Sequence, residues 1–242
     1  MIHGSKPPGK AEIIVALDEP SLDDARRLMD RLEDRVRFYK VGLQLFTAAG
    51  SAAVCAAQER GAKVILDLKL HDIPNTVASA VRSARDLGAD LCTIHLSGGP
   101  DMAAAAVEAA GDALMILGVT VLTSSTIETL EACGVHGSVG EQVVRLAKMG
   151  HAAGVRGFVA SALELPMLRQ ELRSGPAFVI PGVRPAGAEL GDQKRVATPA
   201  EVVEAGATHL VVGRPITRAA DPLRAYMAIL AEVDSASSPK LA

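Results

Sequence analysis

The sequence predicts an α/β protein folded as a single (β/α)8 TIM barrel, and three observations carry that expectation. Eight short apolar runs recur along the 242 residues, each nearly continuous in Val, Ile and Leu, as strands covered on both faces should be. Longer amphipathic stretches separate them, and parallel neighbours need such a crossover, which a helix usually supplies. No Pro- or Ser-rich linker divides the chain, and eight βα units in about 230 residues is the size of one barrel.

The elements follow in order. Residues 13–17 form the first strand, which stops at Asp18. Ser21 can cap the helix behind it, where Ala25, Leu28, Met29 and Leu32 keep helical spacing. Further strands fall at 38–43, 63–68, 91–96, 114–122, 157–160, 178–183 and 210–212. Helical patterns fill the gaps, among them 76–87, 140–153, 163–172 and 222–233. Gly61-Ala62, Gly88-Ala89 and Gly206-Ala207 each precede a strand and suit helix C-caps that feed tight turns. A doubly wound open sheet is the alternative. It usually carries G-x-G-x-x-G after its first strand, where this chain has Ala16-Leu17-Asp18-Glu19-Pro20. The barrel domain is expected over 12–233, between a flexible lead-in (1–11) and a frayed tail (234–242). The lead-in lacks the apolar centre of a secretory leader.

Composition removes several function classes. With 25 Lys+Arg against 28 Asp+Glu the net charge is −3, so no broad positive field would gather nucleic acid. Two Tyr, four Phe and no Trp leave few platforms for stacking bases. A hydrophobic fraction of 49% is incompatible with disorder at so modest a charge. The longest apolar run, 113–122, is broken at Gly118 and falls short of the ~20 residues a bilayer span needs. Cys55, Cys92 and Cys133 are odd in number and far apart, which suggests neither disulfides nor a metal knuckle. Cys55 and Cys92 sit in apolar stretches and read as small core residues, as Met102, Met115 and Met149 read as packing. A reducing cytoplasm is the expected compartment.

Chemistry in a barrel sits at the C-terminal ends of its strands. Reading those ends gives Asp18, Lys40 inside the second strand, and Asp67, Lys69 and Asp72 at the third. His95 ends the fourth, Thr123-Ser124 follow the fifth, Pro181 to Arg184 end the seventh, and Gly213-Arg214 the eighth. Positions i and i+2 of a strand share a face, so Asp67 and Lys69 point the same way. Val64-Ile65-Leu66 directly before them make this a buried strand end rather than a solvated charge run. Lysines are rarely buried unpaired, and the two lysines and the aspartates can pair alternately. A lysine between carboxylates stays protonated and can deliver that proton to a carbanion. A carboxylate held beside a negative substrate group favours loss of that group in the transition state. The ends of the seventh and eighth strands commonly bind phosphate. There Gly213 permits close backbone approach and Arg214 offers a bidentate fork, with Arg184 and Gln193 on the neighbouring loop. The stretch 186–198 suits a lid over an anion.

Together these segments resemble the orotidine 5′-phosphate decarboxylase family over roughly residues 13–230. The most specific stretch, Asp67-Leu68-Lys69-Leu70-His71-Asp72-Ile73-Pro74-Asn75-Thr76, matches that family's D-x-K-x-x-D-I-P-x-T. Ala16-Leu17-Asp18, Lys40-Val41-Gly42, Val121-Leu122-Thr123-Ser124, Pro181-Gly182-Val183-Arg184 and Val212-Gly213-Arg214-Pro215-Ile216 follow in the family's order.

The resemblance implies a carboxy-lyase that turns orotidine 5′-phosphate into UMP and CO2 with neither metal nor cofactor. It implies that Lys69 protonates C6 of the pyrimidine, that Asp67 faces the departing carboxylate, and that Lys40 and Asp18 hold the ribose hydroxyls. Thr123 and Ser124 would read the pyrimidine amide edge. Gln193, Gly213 and Arg214 would take the 5′-phosphate with Arg184 and Pro181 nearby. Asp72, Ile73 and Thr76 would enter the site of a partner subunit in a homodimer. His71 has no required step, and His95 can line the pocket floor or pack in the core. The nearest rivals are metal-dependent sugar-phosphate barrels of the same suprafamily, which carry a similar D-x-K-x-x-D array but lack the I-P-x-T continuation.

Overall fold

A computed structural model describes residues 10–172, 175–185 and 197–237. Gln193, most of the expected lid and nearly all of the lead-in lie outside the described residues.

The strands are β1 Glu12–Leu17, β2 Phe38–Gly42, β3 Lys63–Leu70, β4 Leu91–His95, β5 Met115–Val119, β6 Gly157–Val159, β7 Ala177–Ile180 and β8 His209–Val212. All neighbours are parallel and consecutive, and β8 closes on β1 through Ile13↔Leu210 and Val15↔Val212. The α-helices are α1 Leu22–Leu32, α2 Leu43–Ala49, α3 Ser51–Gln58, α4 Pro74–Asp86, α5 Pro100–Ala110, α6 Ile127–Ala132, α7 Val139–Ala152, α8 Leu165–Glu171, α9 Pro199–Ala205, α10 Arg214–Thr217 and α11 Pro222–Ser237. The expected (β/α)8 barrel is therefore the fold.

Period-two alternation divides the core into two shells. Ile14, Ala16, Phe38, Ile65, Leu117, Val179 and Val211 point into the barrel. Val15, Leu17, Tyr39, Val41, Val64 and Leu66 point outward and pack against helix residues such as Ala25, Leu28 and Val54. That is why the strands read as continuous apolar runs. Phe38, one of the few aromatics, helps floor the barrel, with its ring edge-on to His209 (centroids 5.8 Å apart). On the same alternation Lys40 and Asp67 succeed Phe38 and Ile65 on the inward face of their strands.

Local chemistry sets the ends of the elements. Ser21 Oγ accepts the Asp24 N–H at 3.1 Å and starts α1. Pro74 occupies the first turn of α4, where no N–H is needed, so that helix starts earlier than 76. Gly61, Gly88 and Gly206 all have positive φ, as their C-cap reading requires. β7 stops at Ile180 rather than 183, because Pro181 has no N–H for the ladder and Gly182 turns at φ +75°. β5 stops at Val119 rather than 122. α11 continues to Ser237, into the stretch read as a frayed tail, and Lys10 reaches its Asp234 at 2.6 Å.

Two packing expectations are corrected. Cys55 is exposed, because α3 turns Ala53, Val54, Ala56 and Ala57 inward instead. Met115 is exposed at the start of β5, whereas Met102 is fully buried. Among the described residues, no helix is long and apolar enough to cross a membrane.

Candidate active site

A cavity of about 430 Å³ opens at the C-terminal mouth of the barrel, within the range of small-ligand sites. Four charged side chains from three adjacent strands form a row on one wall. Asp18 Oδ1 lies 3.2 Å from Lys40 Nζ, which lies 3.4 Å from Asp67 Oδ2. Asp67 in turn binds Lys69 Nζ through both oxygens, each at 2.9 Å. The order is carboxylate, amine, carboxylate, amine, so each inner charge is neutralised from both sides. Gly42 makes room for the row: a Cβ there would stand 2.9 Å from Lys40 Nζ and 3.2 Å from Asp18 Oδ1.

Asp67 is buried, and burial alone would raise its pKa. The Lys40 and Lys69 ammonium groups, with hydrogen bonds from Lys69 and Thr93, overcome this and hold the carboxyl below the usual aspartate range. Burial likewise pulls the Lys40 amine down, but Asp67 and Asp18 outweigh it and its pKa is raised. Both groups are thus charged throughout the neutral range. Next door the Cys92 thiol is pushed up to about 12 by burial and by the Asp67 charge, so it stays protonated. Burial, and then the charges of His71 and Lys69, lower the pKa of His95, whose ring lies 5.7 Å from that of His71.

The third-strand motif is divided by the fold. Asp67 and Lys69 belong to the row, but Asp72 does not. It is exposed, its carboxylate accepts the Ile73 N–H at 2.6 Å, and among the described residues it joins no ion pair with Lys69. The chain leaves the barrel rim at Leu70, and residues 71–76 are exposed, with Ile73 at 67%. Thr76 shares that outward stretch.

The anion-binding candidates follow β7 and β8, and because β8 adjoins β1, Gly213 stands next to Asp18 at one end of the row. Gly213 and Arg214 follow β8 into α10 and line the cavity, as do Pro181 and Arg184 after β7. Arg184 is buried, and its backbone N–H donates to Ala197 O at 3.0 Å. The parallel bridge between Val183 and Ala197 holds Ala197 beside the site. Thr123 lines the cavity, while Ser124 is exposed and outside its lining.

Three contributors escaped sequence reading. Thr93, on β4, touches both Asp67 and Lys69, and it carried no signal beyond a polar residue in an apolar run. Gly42 was quoted in a motif without its spatial role. Arg218 lines the mouth and reaches Glu19 at 3.5 Å, tying the loop after β8 to the loop after β1.

Comparison with known proteins agrees with this geometry. The family model described as Orotidine 5′-phosphate decarboxylase / HUMPS family matches residues 11–229. The orotidine 5′-phosphate decarboxylase of Moorella thermoacetica is 50% identical over 236 residues, covering 93% of each chain. That of Anaeromyxobacter sp. strain K is 51% identical over 219 residues, covering 90% of this chain and 96% of its own. The crystal structure of the Lactobacillus acidophilus enzyme of that name superposes with a TM-score of 0.83 at 36% identity, covering 93% of this chain and 99% of that one. With that barrel, that charged row and these relatives, the chain belongs to the orotidine 5′-phosphate decarboxylase / HUMPS family.

Proposed function

We propose that this chain decarboxylates orotidine 5′-phosphate to UMP and CO2, the last step of de novo UMP synthesis, without a metal or organic cofactor. The single observation that carries the reading is the Asp18–Lys40–Asp67–Lys69 row on one wall of a nucleotide-sized cavity, whose lining also includes Arg214 after β8.

The row suits the chemistry. The substrate carboxylate lies against Asp67, whose ionised form repels it. Repulsion falls as the C6–carboxylate bond breaks and neutral CO2 departs, so the transition state gains relative to the ground state. The electron pair left on C6 takes a proton from the Lys69 ammonium, and solvent restores that proton later. Lys40 and Asp18 hold the ribose hydroxyls and keep the row in order. Thr123 and Ser124 meet the pyrimidine amide edge. Gly213, Arg214, Arg184 and Gln193 take the 5′-phosphate, with Pro181 shaping the wall between. The catalytic unit is the barrel over 12–233, acting in the cytoplasm.

The second carboxylate beside Lys69 comes from a partner in a homodimer. The stretch with Asp72, Ile73 and Thr76 supports this, since all three lie exposed at the barrel rim, with Ile73 at 67%, where a second subunit can meet them. Mixing inactive Asp72→Ala and Lys69→Ala dimers and letting subunits exchange should regenerate activity. Each heterodimer then holds one site with both residues intact, so about a quarter of the wild-type rate is expected from statistical pairing. No recovery after proven exchange would place Asp72 outside the partner's site.

The test of the reading is loss of the near-UV absorbance of orotidine 5′-phosphate on adding enzyme, with and without EDTA. Equal rates in both arms are expected. Absence of turnover, or abolition by EDTA, would favour the metal-dependent sugar-phosphate members of the family.

A further inference from the structure

We propose that Thr93 is a positioning residue for the Asp67–Lys69 pair, clamping both to the end of β4 through one hydroxyl. This rests on the decarboxylase reading above. The β3–β4 ladder runs Ile65↔Leu91 and Leu66↔Cys92, then resumes at Leu70↔Ile94. Asp67, Leu68 and Lys69 therefore face Thr93 alone, and β3 bulges. Lys69 sits in the bulge at φ +50°, a conformation that L side chains seldom adopt and that persists only where the surroundings enforce it.

The enforcement is visible. The Lys69 N–H, which has lost its ladder carbonyl, donates to Thr93 Oγ1 at 2.9 Å. Thr93 Oγ1 donates its own proton to Asp67 Oδ1, also at 2.9 Å. Both directions are forced, because an N–H only donates and an ionised carboxylate only accepts. The hydroxyl's single proton is thus committed, and Thr93 is 2% exposed, so water cannot readily replace it. Its β-branched side chain is stiff about χ1. One atom therefore sets both the backbone from which Lys69 reaches the pocket and the oxygen to which its ammonium returns. Thr93 has no need to touch substrate.

The test compares Thr93→Val, which keeps the shape and removes the hydroxyl, with Thr93→Ser, which keeps the hydroxyl. Steady-state kinetics on orotidine 5′-phosphate and UMP inhibition constants are read for each. Thr93→Val should lose on the order of 10- to 100-fold in kcat, as misplacement of a proton donor does. Its KM and UMP affinity should stay within about threefold, because phosphate and base contacts are untouched. Thr93→Ser should retain kcat within about threefold. If Thr93→Val fails to fold, Thr93→Ala carries the same expectation. A hydroxyl-free variant with wild-type kcat, a loss confined to KM, or a serine variant as impaired as the valine one would each overturn the assignment. An inactive wild-type enzyme would instead overturn the decarboxylase reading.

Discussion

Replacing Lys69 with alanine should abolish turnover of orotidine 5′-phosphate, lowering kcat by on the order of 10^4-fold or more, the upper reach of a single positioned general acid. Lys40, the other lysine of the row, is not placed to substitute for it. Lys40 lies on the far side of Asp67 and is itself held between Asp67 and Asp18. Once Lys69 is gone, water must protonate C6, and Asp67 faces the substrate carboxylate without the ammonium that accompanies it. The fold should survive. Asp67 keeps Lys40 at 3.4 Å and the Thr93 hydroxyl at 2.9 Å, so no buried charge is stranded, which is the usual cause of large destabilisation. An alanine at φ +50° costs no more than lysine there, as both carry a Cβ. Absorbance assays and thermal melts on the purified variant check the two halves separately. Turnover within tenfold of wild type would remove Lys69 as the proton donor.

Arg214→Ala should cost about 3 kcal/mol of kcat/KM, roughly two orders of magnitude, as loss of a charge-assisted phosphate clamp does. The side chain is exposed at the mouth, so stability should change little. The phosphate is remote from the breaking bond. Its binding energy can still appear in kcat/KM if it holds the base against the charged row and excludes water. A substrate lacking the phosphate isolates the effect. On orotidine itself, wild type and Arg214→Ala should be equally slow, because the missing contact has nothing left to hold. A defect of the same size on both substrates would mean that Arg214 acts on the pyrimidine end or on the fold rather than on the phosphate.

Much of the site was legible because chemistry and fold leave overlapping marks at strand ends. Lys40 amid Tyr39 and Val41, and Asp67 directly after Val64-Ile65-Leu66, are charged residues where burial forbids them unless paired. The anomaly therefore reads without coordinates. The pairing of Asp67 with Lys69 was also expected, but its cause was not. Simple alternation put both on one face, whereas the structure brings them together across a bulge with Lys69 at φ +50°. Thr93 and Gly42 were invisible as site members because their value lies in what stands opposite them. Asp72, five residues from Asp67 in sequence, is carried away from the row once the chain leaves the rim at Leu70. Cys55 shows the limit of local hydropathy, since four small apolar residues of α3 compete for one inward face and the thiol lost.

The sequence by itself determined the barrel, its strand order and the identity of the charged residues. Apolar periodicity and turn chemistry are local properties, and a parallel strand–helix repeat has few ways to close. Only the tertiary structure decided which charges meet. It alternated Asp18, Lys40, Asp67 and Lys69 along three neighbouring strands, placed a threonine from a fourth beneath them, and turned Asp72 outward. Register and bulge act over a few ångströms between segments far apart in sequence, and ionic and hydrogen-bond energies depend on those ångströms.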